Sequence, residues 1–197
     1  MKDRIAETGP TQKPPKNGRK AFKGLAPAGY RIRMMEPGEA TRLFEIERAG
    51  ADLLASVGKS GAASEAVDID GFTRFLLAHE IFVAVRKEDG LPVAYAAAAP
   101  ESDLYWLAGL DVDPDHGRRG IGTALVEAVL MRASWFFFRA VGLSTYGDVP
   151  CGAPFYERLG FLRVADAQLP QWLADKRRAE TPGGGAGDDR TVMIKWL

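Results

Sequence analysis

The stretch HGRRGIGTAL, residues 116–125, has the residue types of an anion-binding turn. Its three glycines allow the backbone to bend sharply and to approach a ligand closely. An apolar segment follows at once, and the first N–H groups of a helix lack intrahelical acceptors and favour a phosphate. Arg118 and Arg119 would add positive charge beside those groups. The stretch therefore predicts a phosphate-binding site at a helix start.

Three kinds of phosphate-binding turn have to be compared with this stretch. A Walker loop requires a lysine before Ser or Thr, and the turn contains no lysine. A dinucleotide fingerprint requires a third glycine, and Leu125 stands where that glycine would be. The remaining kind is the pyrophosphate loop of acyl-coenzyme A enzymes. Binding of ATP or NAD stays open as an alternative, and it predicts competition with the coenzyme.

Two motifs in order carry a resemblance to a known family. LDVDPDHGRRGIGTALVEAV, residues 110–129, resembles the central motif of the GNAT superfamily of N-acetyltransferases. APFYERLGF, residues 153–161, resembles the short helix that follows in that family. The resemblance implies a mixed, mostly antiparallel α/β sheet of six to seven strands, flanked by helices and splayed between strands 4 and 5. It covers roughly residues 29–197.

The same resemblance implies acetyl-CoA as the cosubstrate, lying in the splay. The backbone N–H of Val112 would then hold the thioester carbonyl. The pyrophosphate would be held at the turn by N–H groups of Gly117, Arg118, Arg119, Gly120, Ile121, Gly122 and Thr123. A metal site is not expected, since the chain has one cysteine and two histidines.

Acetyl transfer to an amine requires proton transfer at the amine and at the leaving thiolate. Tyr156 matches the tyrosine that the family places near the coenzyme sulfur, so it is the predicted acid. Many relatives carry a glutamate base where this chain has Gly109. Asp111 faces the same side of the strand by the period of two, so it is the predicted substitute base. Glu47 on the first helix is an alternative base.

Two further departures concern the coenzyme. Gly117 replaces the polar side chain at the first position of the glycine motif, which leaves a backbone donor but removes a side chain. Cys151 and Gly152 stand where many relatives have an asparagine. Cys151 is not expected to be a nucleophile, because no histidine lies beside it in sequence. These departures keep open the alternative of an acyl-CoA-binding module or sensor with little turnover.

The segment EAVDIDG, residues 65–71, lies where the family lines its acceptor pocket. Carboxylates of Glu65, Asp68 and Asp70 would favour a cationic amine there, although a solvated acidic loop is the preferred interpretation. SWFFF, residues 134–138, predicts either aromatic side chains in the core or an exposed aromatic patch. An exposed patch could form the interface of a homodimer.

Strands and helices alternate along the chain in a way that can position these residues. The patterns predict strands at YRIRMM, IFVAVR, LPVAYAAAAP, LYWLAGLDV, AVGLSTY, FLRVA and RTVMIKWL. They predict helices over residues 38–58, in GFTRFLLAHE, from Gly120 to about Arg132, in APFYERLG and in LPQWLADKRRAE. A mixed α/β sheet follows from this order.

The bulk composition excludes several classes of protein. The 197 residues carry no net charge, and 46% are hydrophobic, as in an ordinary globular domain. We expect no nucleic-acid partner, and no membrane partner because no long apolar run is present. Residues 1–28 predict a disordered basic tail before the domain of residues 29–197. Together with the resemblance, these observations predict a cytoplasmic enzyme that moves an acetyl group directly from acetyl-CoA to a primary amine of a small molecule or peptide.

Overall fold

The computed structural model describes residues 25–59, 68–181 and 190–197. Its strands are β1 Tyr30–Met34, β2 Glu80–Arg86, β3 Pro92–Glu101, β4 Leu104–Val112, β5 Ala140–Tyr146, β6 Leu162–Arg163 and β7 Arg190–Trp196. Its helices are α1 Ala40–Ala55, α2 Ile69–Leu77, α3 Ile121–Trp135, α4 Ala153–Arg158 and α5 Gln171–Ala179. None of these helices is long and apolar enough to cross a bilayer.

The strands form one sheet in the order β1-β2-β3-β4-β5-β7-β6. Each neighbouring pair is antiparallel except β4 and β5, which run parallel. The parallel pairing spans only residues 105–107 of β4, although both strands continue beyond it. The predicted fold class, with its splay between strands 4 and 5, is therefore confirmed.

Helices cover both faces of this sheet because the side chains of a strand alternate between faces. On one face, α3 packs its apolar side against strands β2 to β5, and Tyr156 of α4 joins this cluster. On the other face, α1 and α2 cover β2 and β3, while α5 covers β4, β5 and β7. The central strand β4 is therefore enclosed from both sides, and only its far end opens toward the splay.

The ends of the described ranges bear on two sequence predictions. Residues 1–24 of the predicted tail and residues 60–67, which include Glu65, lie outside the described residues. Within the predicted tail, Leu25 and Ala26 pack against the core beside α3.

The aromatic stretch after α3 divides between core and surface. Phe138 packs on the ring of Tyr105, with 5.3 Å between ring centroids. Phe137 is 91% exposed and adopts a positive φ of 60°, while Phe136 is exposed beside the guanidinium of Arg132. One ring is therefore a core residue and two stand in solvent, and the homodimer stays a prediction.

Candidate active site

The open end of β4 presents backbone donors toward the splay. Asp113 donates its N–H to the carbonyl of Val93 on β3, at 2.9 Å. Val112 faces Ala94 in the same register, one residue from that hydrogen-bonded pair. Because N–H groups alternate direction along a strand, the N–H of Val112 points away from β3 and toward the side of β5. The pairing of β4 with β5 ends at Leu107, so the N–H of Val112 lies in the splay between these two strands.

A bulge in β4 decides which side chains face the helices on each side. Ala98 pairs with Leu107, but Ala97 pairs with Gly109, so β4 contains one extra residue at Ala108. The bulge reverses the alternation. Before it, odd-numbered residues of β4 face α3; after it, they face α1 and α2.

Gly109 and Asp111 follow the bulge and therefore lie on the α1 side. A methyl group at Gly109 would lie 3.4 Å from the ring of Phe75 and 3.7 Å from the hydroxyl of Tyr95. The two positions share one face, as the sequence predicted. A side chain at Gly109 would therefore meet apolar and phenolic groups. The carboxylate on β4 that lies nearest to this position is that of Asp111.

The carboxyl of Asp111 meets two groups from other elements. Tyr95 of β3 stands opposite it in the β3–β4 register, and the carboxylate of Glu47 on α1 lies close enough for its charge to act on that of Asp111. Tyr95 also donates its hydroxyl to the carboxylate of Glu47. Burial and the neighbouring Glu47 carboxylate hold the pKa of Asp111 well above its ordinary value. Asp111 is therefore the carboxyl in this cleft that can take up a proton above the usual range of aspartate.

The glycine turn begins α3 directly below this strand end. Ala124 makes the first intrahelical hydrogen bond, to the carbonyl of Gly120 at 3.1 Å. The N–H groups of Ile121, Gly122 and Thr123 therefore have no acceptor within the helix. Gly120 has a φ of +81°, a conformation that favours glycine. This helix start is the predicted phosphate site, and the contacts themselves stay a prediction.

The arginines of the turn have different surroundings. Arg118 is exposed and adopts a positive φ of 56°. Arg119 donates to the hydroxyl of Tyr30 at 3.2 Å and to the carbonyl of Asp115 at 3.0 Å. Arg119 therefore holds the turn against β1, while Arg118 is the arginine whose side chain extends into solvent beside the helix start.

An ion pair ties the turn to α1. The guanidinium of Arg42 bonds to the carboxylate of Asp113 and donates to the carbonyl of Pro92 at 3.1 Å. Asp113 in turn accepts the N–H of Asp115 at 3.0 Å, and these partners lower the pKa of its carboxyl against the cost of burial. Arg42 thus fixes the backbone from which the turn departs.

Replacing Arg42 by Gln is expected to weaken coenzyme A binding by about two- to fivefold, because a partly exposed ion pair contributes about 1 kcal/mol or less. Isothermal titration of the full chain with coenzyme A measures the change. Arg48→Gln, an exposed position on the same helix, is the matched control and should leave Kd unchanged. Equal affinities for both variants would show that the ion pair does not position the turn.

Tyr156 reaches the site from the opposite side of the sheet. It is 7% exposed and packs edge-on against Phe155 and Phe161. Burial first, and then the charges of Asp111 and Cys151, raise the pKa of its hydroxyl. The influence of Asp111 on Tyr156 places the predicted base and the predicted acid in one region of the molecule. The tyrosine keeps its proton in the resting protein.

The two residues before α4, Cys151 and Gly152, have different surroundings. Cys151 is exposed, and desolvation raises the pKa of its thiol, which opposes thiolate formation. Gly152 is buried, and an added Cβ would overlap the carbonyl oxygen of Tyr146 and lie 3.0 Å from a methyl of Val149. The chain therefore has no room for the asparagine that many relatives carry at Gly152.

Restoring that asparagine in Gly152→Asn is expected to destabilise the fold by about 1–3 kcal/mol through overpacking, with no gain in coenzyme affinity. Chemical denaturation gives the first quantity and titration with coenzyme A the second. Cys151→Asn, at the exposed neighbour, should leave the stability within about 0.5 kcal/mol. A stable Gly152→Asn variant with tighter binding would contradict this prediction.

Sequence reasoning missed several residues that shape the site. Tyr95, Arg42 and Gly50 belong to elements distant in sequence, and no motif marks them. An added Cβ at Gly50 would overlap the carboxylate of Asp111, so α1 is as close to β4 as glycine permits. Asp68 of the acidic segment accepts the N–H of Gly71 at 2.8 Å and caps α2. That contact gives this carboxylate a local structural role.

The comparisons with known proteins match the region of the chain that contains this site. Residues 78–163 match the family model described as the acetyltransferase (GNAT) domain. A curated relative, the mycothiol acetyltransferase of Kineococcus radiotolerans, is 38% identical over 85 residues. That match covers 42% of this chain and 27% of the relative, so the chain spans about a quarter of that protein's length.

Solved structures resemble this chain over most of its length. The ribosomal-protein-S18-alanine N-acetyltransferase of Escherichia coli matches with a TM-score of 0.60 and 19% identity, over 85% of this chain and 94% of that one. The PaiA N-acetyltransferase of Thermoplasma acidophilum, in complex with coenzyme A, matches with a TM-score of 0.65 and 14% identity, over 85% and 99%. At these identities the likeness concerns the fold. The chain therefore has the splayed sheet of these acetyltransferase structures, and its residues 78–163 match the acetyltransferase (GNAT) domain.

Proposed function

We propose that this protein is an N-acetyltransferase that moves the acetyl group of acetyl-CoA directly to a primary amine of a small molecule or peptide. The observation that carries the proposal is the N–H of Val112, which points into the splay between β4 and β5. A donor at that place can stabilise the oxyanion that forms when an amine attacks a thioester.

The start of α3 supports the assignment of the donor substrate. Its first N–H groups have no acceptor within the helix, and the helix dipole favours an anion at the same end. The pyrophosphate of acetyl-CoA would lie there, with the backbone from Gly117 to Thr123 and the side chain of Arg118 around it. The PaiA structure from Thermoplasma acidophilum contains coenzyme A, and its fold is similar.

Asp111 and Tyr156 divide the proton transfers between them. Asp111 would accept the proton of the incoming amine on the α1 side of β4. Tyr156 would give its hydroxyl proton to the departing thiolate from the α3 side. The raised pKa of each group suits its role, since Asp111 can bind a proton above the usual range of aspartate and Tyr156 still holds one. Both act on a thioester carbonyl held by Val112.

The acceptor belongs to the class of primary amines. The name of one structural neighbour specifies N-acetylation of an alanine of a ribosomal protein. The carboxylate of Asp111 and its neighbour Glu47 favour a cationic amine at the acceptor side of β4. A cytoplasmic location and a homodimer stay predictions from the sequence.

The deciding experiment measures release of free coenzyme A thiol from acetyl-CoA with a panel of small amines and peptide N-termini. Thiol release that depends on an amine, with the acetylated product seen by mass spectrometry, supports the proposal. Tight coenzyme A binding with no thiol release across the panel would identify an acyl-CoA-binding module instead. Displacement of coenzyme A by ATP or NAD at similar concentrations would favour the nucleotide-binding alternative.

A further inference from the structure

The start of β1 contacts the glycine turn, although β2 and β3 separate β1 from β4 in the sheet. The hydroxyl of Tyr30 lies 2.8 Å from Nδ1 of His116 and accepts a hydrogen bond from Arg119 at 3.2 Å. Pro27, just before β1, lies beside Gly120, where an added Cβ would be 3.6 Å from the proline ring. One short segment at the edge of the sheet therefore meets both ends of the turn.

The backbone that carries Tyr30 is itself fixed. Tyr30 donates its N–H to the carbonyl of Pro27 at 3.1 Å, and it is paired with Arg86 of β2. Its side chain is 7% exposed and belongs to the same apolar cluster as the buried side of α3. A hydroxyl on a buried ring of a strand can therefore determine where a neighbouring loop lies.

The hydrogen-bond roles of the three side chains follow from their chemistry. A guanidinium group has no acceptor, so Arg119 must donate to the oxygen of Tyr30. The single hydroxyl proton of Tyr30 is then directed to His116, whose Nδ1 can accept it when the ring is neutral and carries its own proton on Nε2. This assignment satisfies both contacts of the hydroxyl with one proton.

The anchored residues flank a residue with an unfavourable backbone conformation. Arg118 has a φ of 56°, in the left-handed region that residues with a side chain rarely adopt. Such a conformation persists where the surrounding structure holds it in place. His116 and Arg119 lie on either side of Arg118 in the chain, and both contact the hydroxyl of Tyr30. That hydroxyl therefore holds the turn in the shape from which α3 begins.

We propose that Tyr30 is a positioning residue of the coenzyme site, which fixes the glycine turn through His116 and Arg119 before the pyrophosphate binds. The inference rests on the coenzyme binding of the proposed function. It gives the side chain of Arg119 a role through Tyr30, separate from the backbone contact expected of that residue. A turn that is already ordered does not have to be ordered by the ligand, which strengthens binding.

Nitrogen NMR of the histidine rings tests this anchor without coenzyme or acceptor. The chain contains two histidines, and they should show opposite tautomers at a pH of about 8.5, where histidine is neutral. Nδ1 of His79 lies 2.7 Å from the carbonyl oxygen of Phe75, which can only accept, so His79 should carry its proton on Nδ1. His116 should carry its proton on Nε2, with its Nδ1 signal shifted by the hydrogen bond from Tyr30.

The Tyr30→Phe variant removes the hydroxyl and keeps the ring. The Nδ1 signal of His116 should then move toward that of an imidazole without this hydrogen bond, while the signals of His79 stay in place. A wild-type spectrum with the proton of His116 on Nδ1 would overturn the inference. So would a His116 signal that Tyr30→Phe leaves unchanged.

Titration with coenzyme A measures the consequence for binding. In Tyr30→Phe, Kd should rise by about tenfold, the rise expected if the binding-competent turn falls to about a tenth of the molecules. Tyr105→Phe is the matched control, because it removes a buried hydroxyl from the same apolar cluster at the opposite end of β4. It should leave Kd unchanged. An unchanged Kd in a folded Tyr30→Phe variant would refute the positioning role.

A double-mutant cycle separates positioning from direct binding of phosphate by the arginine side chain. Arg119→Gln should raise Kd, and adding Tyr30→Phe to it should raise Kd no further, because both changes break the same anchor. Additive effects would show that Arg119 acts on the coenzyme independently of Tyr30, which contradicts the proposal. If Tyr30→Phe does not fold, Arg119→Gln decides alone, since an unchanged Kd there would equally overturn the inference.

These measurements need coenzyme A at most, and no acceptor. If coenzyme A binds tightly but no amine is ever acetylated, the proposed activity fails. The positioning role of Tyr30 is still decided by the spectra and the titrations, so the two failures are recognised separately.

Discussion

Replacing Asp111 by Asn is expected to lower kcat for acetyl transfer by roughly 10²- to 10⁴-fold, the range that a positioned general base contributes. Asn has nearly the volume of Asp and can fill the same space beside Gly50, so the local packing is retained. The amine would have to lose its proton to water before it attacks. The measurement is kcat against pH, and the rise with pH that Asp111 produces should be lost in the variant.

The same substitution is expected to stabilise the fold at neutral and alkaline pH. The pKa of Asp111 is raised in the folded protein, so the folded state binds more protons than the unfolded state above the usual aspartate range. The free energy of unfolding of the wild type therefore falls as pH rises through that window, and the full cost is present above the raised pKa. Asn carries no such cost. The Tm of Asp111→Asn should exceed that of the wild type at pH 8 and approach it at low pH.

Asp52→Asn provides the control for both measurements. This exposed carboxyl lies on α1. Its removal should change neither kcat nor the pH dependence of Tm. A variant Asp111→Asn with normal kcat would exclude Asp111 as the base, while lower stability at every pH would show that its carboxylate has a structural role. Stability gained and activity lost together would mark a group that the fold tolerates for its chemistry.

The fold was predictable because its local patterns agree with its tertiary structure. β4 and β5 have the bounds that the sequence predicts, Leu104–Val112 and Ala140–Tyr146. α3 extends to Trp135, three residues beyond the predicted end near Arg132, since tertiary packing of its apolar face continues through Ala133. The residue at which such a helix ends depends on the elements that pack against it. The hydrophobic periodicity of the sequence carries no information about those elements.

The candidate site was predictable only in part. Motif spacing locates Val112, the glycine turn and Tyr156, and the period of two links Asp111 with Gly109. The bulge at Ala108 has no signal in the sequence, since LYWLAGLDV reads as an uninterrupted strand. A strand without the bulge would turn Asp111 toward α3.

The contacts of Glu47 and Arg42 are equally invisible in the sequence. Both residues have the spacing of an ordinary solvated helix face, yet Glu47 bonds to Tyr95 and Arg42 to Asp113. The close approach of α1 to β4 at Gly50 creates these contacts. Such an approach is a tertiary event between distant segments, so only the structure reveals the partners of these side chains.

Replacing Tyr156 by Phe is the second substitution with a large expected effect. It should lower kcat by about 100-fold, the lower end for loss of a general acid. The KM for acetyl-CoA should change little, because the ring that packs on Phe155 and Phe161 is retained. Within the described residues the Tyr156 hydroxyl has no hydrogen-bond partner, so its removal breaks no contact that the resting fold needs.

The raised pKa of Tyr156 is compatible with an acid role. Desolvation disfavours the charged form of any group in that place, so it raises the pKa of a thiolate left beside the tyrosine as well. Proton transfer between them depends on the difference of the two pKa values, which a shared environment changes much less than either value alone. The hydroxyl also stays protonated throughout the working range of Asp111, so acid and base are competent at the same pH.

The matched control is Tyr105→Phe, which removes a hydroxyl from the opposite end of β4. That hydroxyl is buried without a hydrogen-bond partner in the described part of the chain. Its loss should leave kcat unchanged and cost no stability, since an unpaired buried polar group contributes nothing favourable. Equal kcat values for Tyr156→Phe and the wild type would remove the acid role from Tyr156. The thiolate would then leave unprotonated or take its proton from water, and Asp111 would remain the one side chain that transfers a proton.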